Sequence, residues 1–175
     1  MWEKFVNVHT LSPRQEEEGL METIRVGIIG AGGIAQYGHL PAYKNTPGVE
    51  VVAIADINEK KLAYVADKFG VPRQFTDYKE MLEQADIDAV SVCTPNSLHR
   101  EMSVNALNAG KHVLCEKPVA VTGADAEAII AAAEASGKVF MGAFCQRFSG
   151  ASQVLKKFIE EGKLGDIYYV KGGYI

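Results

Sequence analysis

The sequence has no excess of basic residues, and it has no apolar run of the roughly 18 residues that a membrane-spanning helix needs. Its 18 Lys and Arg against 22 Asp and Glu give a formal net charge of −4, whereas nucleic-acid-binding domains usually carry a basic stripe. We therefore expect neither a membrane nor a nucleic acid as a partner. Hydrophobic residues make up 47% of the chain, which is typical of a globular protein, and we predict a cytoplasmic location.

Cysteine is scarce. Cys93, Cys115 and Cys145 lie far apart and form no C-x-x-C pair, which argues against a zinc site or a disulfide framework. Each lies in or beside an apolar run typical of a strand. We therefore expect buried free thiols, as in a reducing compartment, and no metal site.

The first 21 residues differ from the rest of the chain. They lack the basic start and the apolar stretch of a secretory signal, and they contain an acidic run from Glu16 to Glu18. We predict a flexible N-terminal extension over residues 1–21.

From residue 22 onward, short β-rich runs alternate with helical patterns. Strands are predicted at Ile24–Ile29, Val49–Ala55, Arg73–Phe75, Ala89–Cys93, His112–Cys115 and Val139–Ala143. Several of these are continuous apolar runs such as VVAIA, which favour a parallel sheet covered by helices on both faces.

The helical patterns lie between these strands. Helices are predicted at Glu59–Phe69, Ser97–Asn108 and Thr122–Ser136, and a glycine ends each of them just before the next strand. Repeated βα units of this kind predict an α/β fold with a doubly wound parallel Rossmann sheet over residues 22–148. Six strands suit the order 3-2-1-4-5-6.

After residue 148 the pattern changes. An amphipathic helix is predicted at Ala151–Glu161, followed by a strand at Ile167–Tyr174 that is rich in aromatic and β-branched residues. We interpret residues 149–175 as only the first helix and strand of a second, α+β domain. Because an unpaired strand edge invites association, we expect copies of the chain to pair through this strand.

The strongest local signal is GIIGAGGIAQ. Gly30, Gly32 and Ala35 fit G-x-G-x-x-G/A directly after a predicted strand and at the start of a helix. Gly30 would make the tight turn, Gly32 would let a pyrophosphate approach the backbone, and Ala35 would allow close helix packing. Gly33 and Ile34 complete the predicted cofactor-binding loop, whose free N–H groups would meet the phosphates.

Asp56 ends the second predicted strand, 21 residues after Ala35. A carboxylate there can accept hydrogen bonds from both hydroxyls of an adenosine ribose and would repel a 2′-phosphate, so NAD is favoured over NADP. Two alternatives stay open. Asp56 could cap the helix that begins near Glu59, and Lys60 and Lys61 are close enough to accommodate NADP.

Two polar clusters, SVCTPNSLH and CEKPVA, follow the fourth and fifth predicted strands, where α/β folds place ligands. Together with GIIGAGGIA and VVAIAD they resemble the glucose–fructose oxidoreductase and inositol dehydrogenase family (Gfo/Idh/MocA). The resemblance extends from Ile24 to Ile175. It implies a Rossmann domain, a following substrate domain with an open antiparallel sheet, and sugars, inositols or related polyols as substrates.

The resemblance also implies roles for single residues. Lys117 would be catalytic and would act on the reacting hydroxyl or carbonyl, while Glu116 would contact the nicotinamide-side ribose. Arg147 matches an arginine near the nicotinamide, although a solvated arginine at a hinge is an alternative. His39 and Tyr37 are interpreted as packing and polar-cap residues.

In the cluster after the fourth strand, Thr94, Asn96 and His99 would line the cofactor groove, with Pro95 shaping the turn. For His99 a packing or helix-start role is an open alternative.

The function implied is that of an NAD(P)-dependent oxidoreductase acting on CH–OH groups, with a homo-oligomeric assembly. Members of the family are much longer, and their second domain supplies further catalytic groups. We therefore expect this chain to bind cofactor and to lack residues needed for full activity. The alternative is a non-catalytic NAD-binding module or a gene fragment that binds cofactor without turnover. A methyltransferase with S-adenosylmethionine would have no use for the E-K-P motif.

Overall fold

A computed structural model describes residues 23–173, so the extension predicted for residues 1–21 lies outside the described residues. One parallel sheet contains β1 (Ile24–Ile29), β2 (Val49–Ala55), β3 (Arg73–Phe75), β4 (Ala89–Val92), β5 (His112–Cys115) and β6 (Phe140–Gly142). Its order is β3-β2-β1-β4-β5-β6, which confirms the predicted doubly wound topology.

Within residues 23–173, six α-helices connect or follow the strands. They are α1 (Leu40–Lys44), α2 (Glu59–Phe69), α3 (Tyr78–Gln84), α4 (His99–Asn108), α5 (Gly123–Ser136) and α6 (Gly150–Glu160). A π-helical segment, Ala35–His39, leads directly into α1, and 3₁₀ turns lie at Asn96–Leu98 and Cys145–Phe148. The short α3 was not predicted. None of these helices is long and apolar enough to cross a membrane, within the described residues.

Local sequence fixes where the longer helices begin and end. The side chain of Asn58 caps α2 by accepting a hydrogen bond from the N–H of Lys61, and Thr122 caps α5 in the same way. At the C-termini of α2 and α5, Gly70 and Gly137 adopt left-handed backbone angles that are unfavourable for residues with a side chain.

The core consists of two apolar layers, one on each face of the sheet. Successive side chains of β1 lie on opposite faces of the sheet. Ile29 packs in the layer of α3, α4 and α5, and Ile28 packs in the layer of α1 and α2. Met81 and Leu107 are fully buried in the first layer, and Val65 is fully buried in the second. Burial of both faces explains why the central strands are apolar throughout. The sixth helix contributes no residue to either layer.

The structure contradicts two predictions, one for a cysteine and one for a strand. Two of the three cysteines, Cys93 and Cys115, are buried free thiols as expected, and burial raises the pKa of Cys115 to about 11. Cys145, in contrast, is exposed, because the turn after β6 in which it lies contributes no residue to the core. Residues 167–173 form no strand, because none of the described segments pairs with them. Association of copies through this segment stays a prediction.

Candidate functional site

The segments that follow β1, β4 and β5 lie side by side at the carboxyl edge of the sheet. Ladder hydrogen bonds continue past the strand ends, from Cys93 N–H to Ile29 O at 2.8 Å and from Glu116 N–H to Val92 O at 3.0 Å. These bonds keep the glycine loop and the two polar clusters in register with one another, directly beyond the ends of their strands. The predicted site residues on these three segments are therefore brought together.

The fold requires a glycine at position 30, whether or not a ligand is bound. Its φ is +98°, and a Cβ there would stand 2.8 Å from the carbonyl oxygen of Cys93. Gly32 differs, since a Cβ there would meet nothing nearer than that same oxygen at 3.8 Å. The protein leaves the space beside Gly32 open, so a ligand that approaches the backbone would explain a glycine there.

The rest of the loop has the form needed to bind an anion. Gly33 and Ile34 are exposed, whereas Ala35 is fully buried in the layer of α1 and α2. Helical turns start at Gly33, and the first N–H groups of a helix have no partner within it. The exposed start of this helix, flanked by open space at Gly32, suits the pyrophosphate of a dinucleotide.

Asp56 ties the end of β2 to the glycine loop. Its Oδ2 accepts a hydrogen bond from the N–H of Ala31 at 2.8 Å, and its Oδ1 accepts one from the N–H of Asn58 at 2.9 Å. Lys61 Nζ lies 3.0 Å from Oδ2. Because Asn58 caps α2, the alternative in which Asp56 is the helix cap does not apply.

These contacts keep Asp56 charged. Burial raises its pKa, but the N–H groups of Asn58 and Ala31 together with Lys61 outweigh burial, and the net pKa lies below the ordinary value. At neutral pH a charged carboxylate therefore stands beside the glycine loop.

In the cluster after β4, Pro95 and Asn96 are exposed, and the hydroxyl of Thr94 donates to Met102 Sδ at 3.3 Å. His99 is fully buried, with Nε2 2.9 Å from the carbonyl oxygen of Thr94 and Nδ1 2.8 Å from that of Pro118. The structure therefore favours the packing alternative for His99, which joins the segments after β4 and β5.

Glu116 lies inside the protein. Its side chain is 11% exposed, Oε1 lies 3.0 Å from His39 Nε2, and Oε2 accepts a hydrogen bond from the N–H of Lys117 at 3.1 Å. Lys117 itself is exposed, and its side chain forms no ion pair with the described residues. The side chain of Lys117 is thus exposed at the carboxyl edge, while the buried carboxylate of Glu116 holds its backbone N–H.

The sequence pattern missed part of this arrangement. His39, expected to be a packing residue, is buried, but it also makes a hydrogen bond to Glu116 and lies 3.2 Å from Ser91 Oγ. Ser91 Oγ in turn lies 2.6 Å from the hydroxyl of Tyr43. Two signals were present: a serine within the apolar strand AVSV, and polar rings at i and i+4 of one helical segment.

Arg147 is exposed in the 3₁₀ turn after β6. The N–H of Ala143 bonds to Cys115 O at 2.8 Å, so this turn starts at the same edge as the other segments. The role of Arg147 stays a prediction. Among residues 23–173, no cluster of three or more His, Cys, Asp or Glu is placed to hold a metal ion.

A family model described as an oxidoreductase family with an NAD-binding Rossmann fold matches residues 24–144. The chain belongs to the Gfo/Idh/MocA oxidoreductase family. This confirms the resemblance carried by the glycine loop and the two polar clusters.

Two of the curated relatives are dehydrogenases named for a cyclic polyol and for an anhydrosugar, and another is named for 4-carboxy-2-hydroxymuconate-6-semialdehyde. Inositol 2-dehydrogenase of Salmonella typhimurium is 37% identical over 154 residues, which cover 86% of this chain and 45% of the relative. Levoglucosan dehydrogenase of Pseudarthrobacter phenanthrenivorans is 36% identical over 163 residues, which cover 89% of this chain and 42% of the relative. The chain therefore spans less than half the length of these relatives.

Solved structures of the family agree. A scyllo-inositol dehydrogenase from Lactobacillus casei with bound NAD(H) and scyllo-inositol matches 83% of this chain and 43% of its own, with a TM-score of 0.78 and 29% identity. The WlbA dehydrogenase from Bordetella pertussis, in complex with NADH and UDP-GlcNAcA, matches 84% of this chain and 45% of its own, with a TM-score of 0.79 and 32% identity. The chain is an NAD-binding Rossmann domain of this oxidoreductase family.

The two loop glycines should differ in how much a substitution by alanine destabilises the fold. We expect Gly30→Ala to lower the free energy of unfolding by about 1–3 kcal/mol, because its Cβ would press on Cys93 and its φ is strained. Gly32→Ala should change that free energy by less than about 0.5 kcal/mol, because the space is open. Denaturant unfolding of both variants checks this, and equal losses would contradict it.

The charge on Asp56 predicts a dependence of stability on acid. Its pKa is lower in the folded chain than in the unfolded chain, so its contribution is complete above about pH 4 and is lost as the pH falls through the folded value. We expect Asp56→Asn to flatten the fall in stability over that range, measured by unfolding between neutral and acidic pH. An unchanged acid profile in the variant would argue against the assigned contacts.

Proposed function

We propose that this chain is the cofactor-binding part of a dehydrogenase that moves a hydride between a nicotinamide and a hydroxyl-bearing carbon of a sugar, inositol or related polyol. The supporting observation is Lys117, exposed and without an ion pair among the described residues, at the same sheet edge as the open glycine loop. The relatives named for inositol and levoglucosan oxidation support the substrate class.

The residues at this edge fit a dinucleotide. The N–H groups at Gly32, Gly33 and Ile34 would face the pyrophosphate, with Ala35 packed beneath them. Asp56 keeps lone pairs beyond its internal contacts and would accept a ribose hydroxyl. Thr94, Pro95 and Asn96 would form the opposite wall of the groove, held in place by His99.

We place NAD ahead of NADP because a charged Asp56 would repel a 2′-phosphate. Lys61 does not reverse this preference, since its ammonium is already paired with Asp56 at 3.0 Å. Exchange of that partner for a phosphate would leave a partly buried carboxylate beside a second anion.

A bound nicotinamide cofactor would supply the chemistry of hydride transfer. Lys117 would hold or receive a proton at the substrate oxygen, the usual task of a general acid–base group. Glu116 would act mainly by holding Lys117, and its contact with the nicotinamide-side ribose stays a prediction, as does the approach of Arg147.

The domain division is part of the proposal. Residues 22–148 would form the Rossmann domain, and residues 149–175 would begin a second domain, a division supported by the absence of α6 residues from either core layer. The homo-oligomeric state and the cytoplasmic location stay predictions from sequence.

Cofactor titration tests the proposal. Calorimetry with NADH, NADPH and S-adenosylmethionine should show NADH binding about tenfold or more tightly than NADPH, and no binding of the methyl donor. Gly32→Ala should weaken NADH about tenfold, while its unfolding transition matches that of the wild type.

Two results would change the conclusion. Binding of S-adenosylmethionine without NADH would overturn the assignment. Tight NADH binding, with no oxidation of inositols or sugars by the natural protein that contains this domain, would favour the non-catalytic binding module.

A further inference from the structure

A chain of buried polar side chains connects the helix after the glycine loop to the segment that carries Lys117. The hydroxyl of Tyr43 lies 2.6 Å from Ser91 Oγ, which lies 3.2 Å from His39 Nδ1. His39 Nε2 lies 3.0 Å from Glu116 Oε1. Ser91 is fully buried, and His39 and Glu116 are each 8% exposed, so these groups bond to one another instead of to solvent.

The direction of the hydrogen bonds follows from chemistry. A carboxylate cannot donate, so His39 Nε2 must carry the hydrogen that faces Glu116. With a neutral imidazole, Nδ1 would be an acceptor, the hydroxyl of Ser91 would donate to it, and the hydroxyl of Tyr43 would donate to Ser91 Oγ. Burial raises the pKa of Tyr43, which keeps the phenol protonated and able to donate.

The carboxylate of Glu116 connects His39 to the backbone of Lys117. One carboxylate oxygen is held by His39, and the other accepts the N–H of Lys117. A buried carboxylate that loses a partner is costly, so Glu116 would turn toward another donor if His39 were removed. The backbone of Lys117 would then lose its hydrogen bond. On the far side, His99 Nδ1 lies 2.8 Å from the carbonyl oxygen of Pro118, which holds only the other end of this segment.

We propose that His39 is a positioning residue: it fixes the carboxylate of Glu116, and through it the backbone of Lys117, and so sets where the Lys117 side chain stands in the cofactor groove. The inference rests on the proposed function for the placement of that groove. His39 ends the π-helical segment that begins at Ala35, so the same short helix carries the glycine loop at its start and this tether at its end. This short helix thereby connects the glycine loop to the segment that carries Lys117.

The test compares a whole cofactor with half of one. NADH should need both the glycine loop and the Glu116–Lys117 segment, whereas ADP should need only the loop and Asp56. We expect His39→Leu to weaken NADH about tenfold, the effect of one lost buried hydrogen bond, and to leave ADP within about twofold. His39→Gln, whose amide can still donate to Glu116, should recover most of the loss.

His112→Leu is the matched control. His112 lies at the start of β5, the strand that ends just before Glu116, and its Nδ1 accepts the N–H of Val139 at 3.0 Å. The variant loses an imidazole and a hydrogen bond from the opposite end of the same strand. We expect it to lower the unfolding midpoint without changing the ratio of NADH to ADP affinity.

A second measurement needs no cofactor. Amide exchange at Lys117, followed by NMR, should accelerate about tenfold in His39→Leu and stay unchanged in His112→Leu. If His39→Leu changes neither the ratio of NADH to ADP affinity nor the exchange rate of the Lys117 amide, the positioning role is wrong and His39 only packs. If the wild type binds neither NADH nor ADP, the proposed function fails, and the exchange rate alone decides whether His39 holds Lys117.

Discussion

Between β1 and β4 the order of the sheet reverses: the chain leaves β1 toward β2 on one side and leaves β4 toward β5 on the other. Because crossovers in parallel sheets are right-handed, the segments after these two strands separate onto opposite faces, and a crevice opens at the carboxyl edge. The Gly30 turn and the Thr94 segment are its walls. They meet closely at one point, where Gly30 lies against the carbonyl of Cys93 and leaves no room for a side chain.

Two carboxylates, each directly after a strand, hold the backbone at the carboxyl edge in the absence of a ligand. Asp56 accepts the N–H of Ala31 in the glycine loop, and Glu116 accepts the N–H of Lys117. A carboxylate removed from water needs such donors, so each one constrains the backbone beside it as it is itself satisfied. The same residues that suit a dinucleotide thus also hold the groove in shape. This is the kind of preorganisation that binding and catalysis both require.

The features that sequence predicts well are those that depend on near neighbours. Glycine stops and apolar runs placed all six strands and three of the helices, α2, α5 and α6, to within a residue at each end, and the observed strand order is the one that the repeated βα units predicted. The contacts of His39 could not be found this way, because Ser91 and Glu116 lie 52 and 77 positions further along the chain. Residues 167–173 were mispredicted for a related reason: β-branched and aromatic residues favour a strand, but a strand exists only where a partner pairs with it.

The central claim is that the crevice between the β1 and β4 segments holds a nicotinamide dinucleotide with its reactive end at Lys117. The most direct measurement is an NMR titration of the ¹⁵N-labelled chain with NADH. We expect the largest amide shifts on residues 32–35, on Asn96 and on Lys117, with little change at Arg25 and His112 on the opposite edge of the sheet. Shifts confined to that opposite edge, or absent from the glycine loop at saturating NADH, would contradict it.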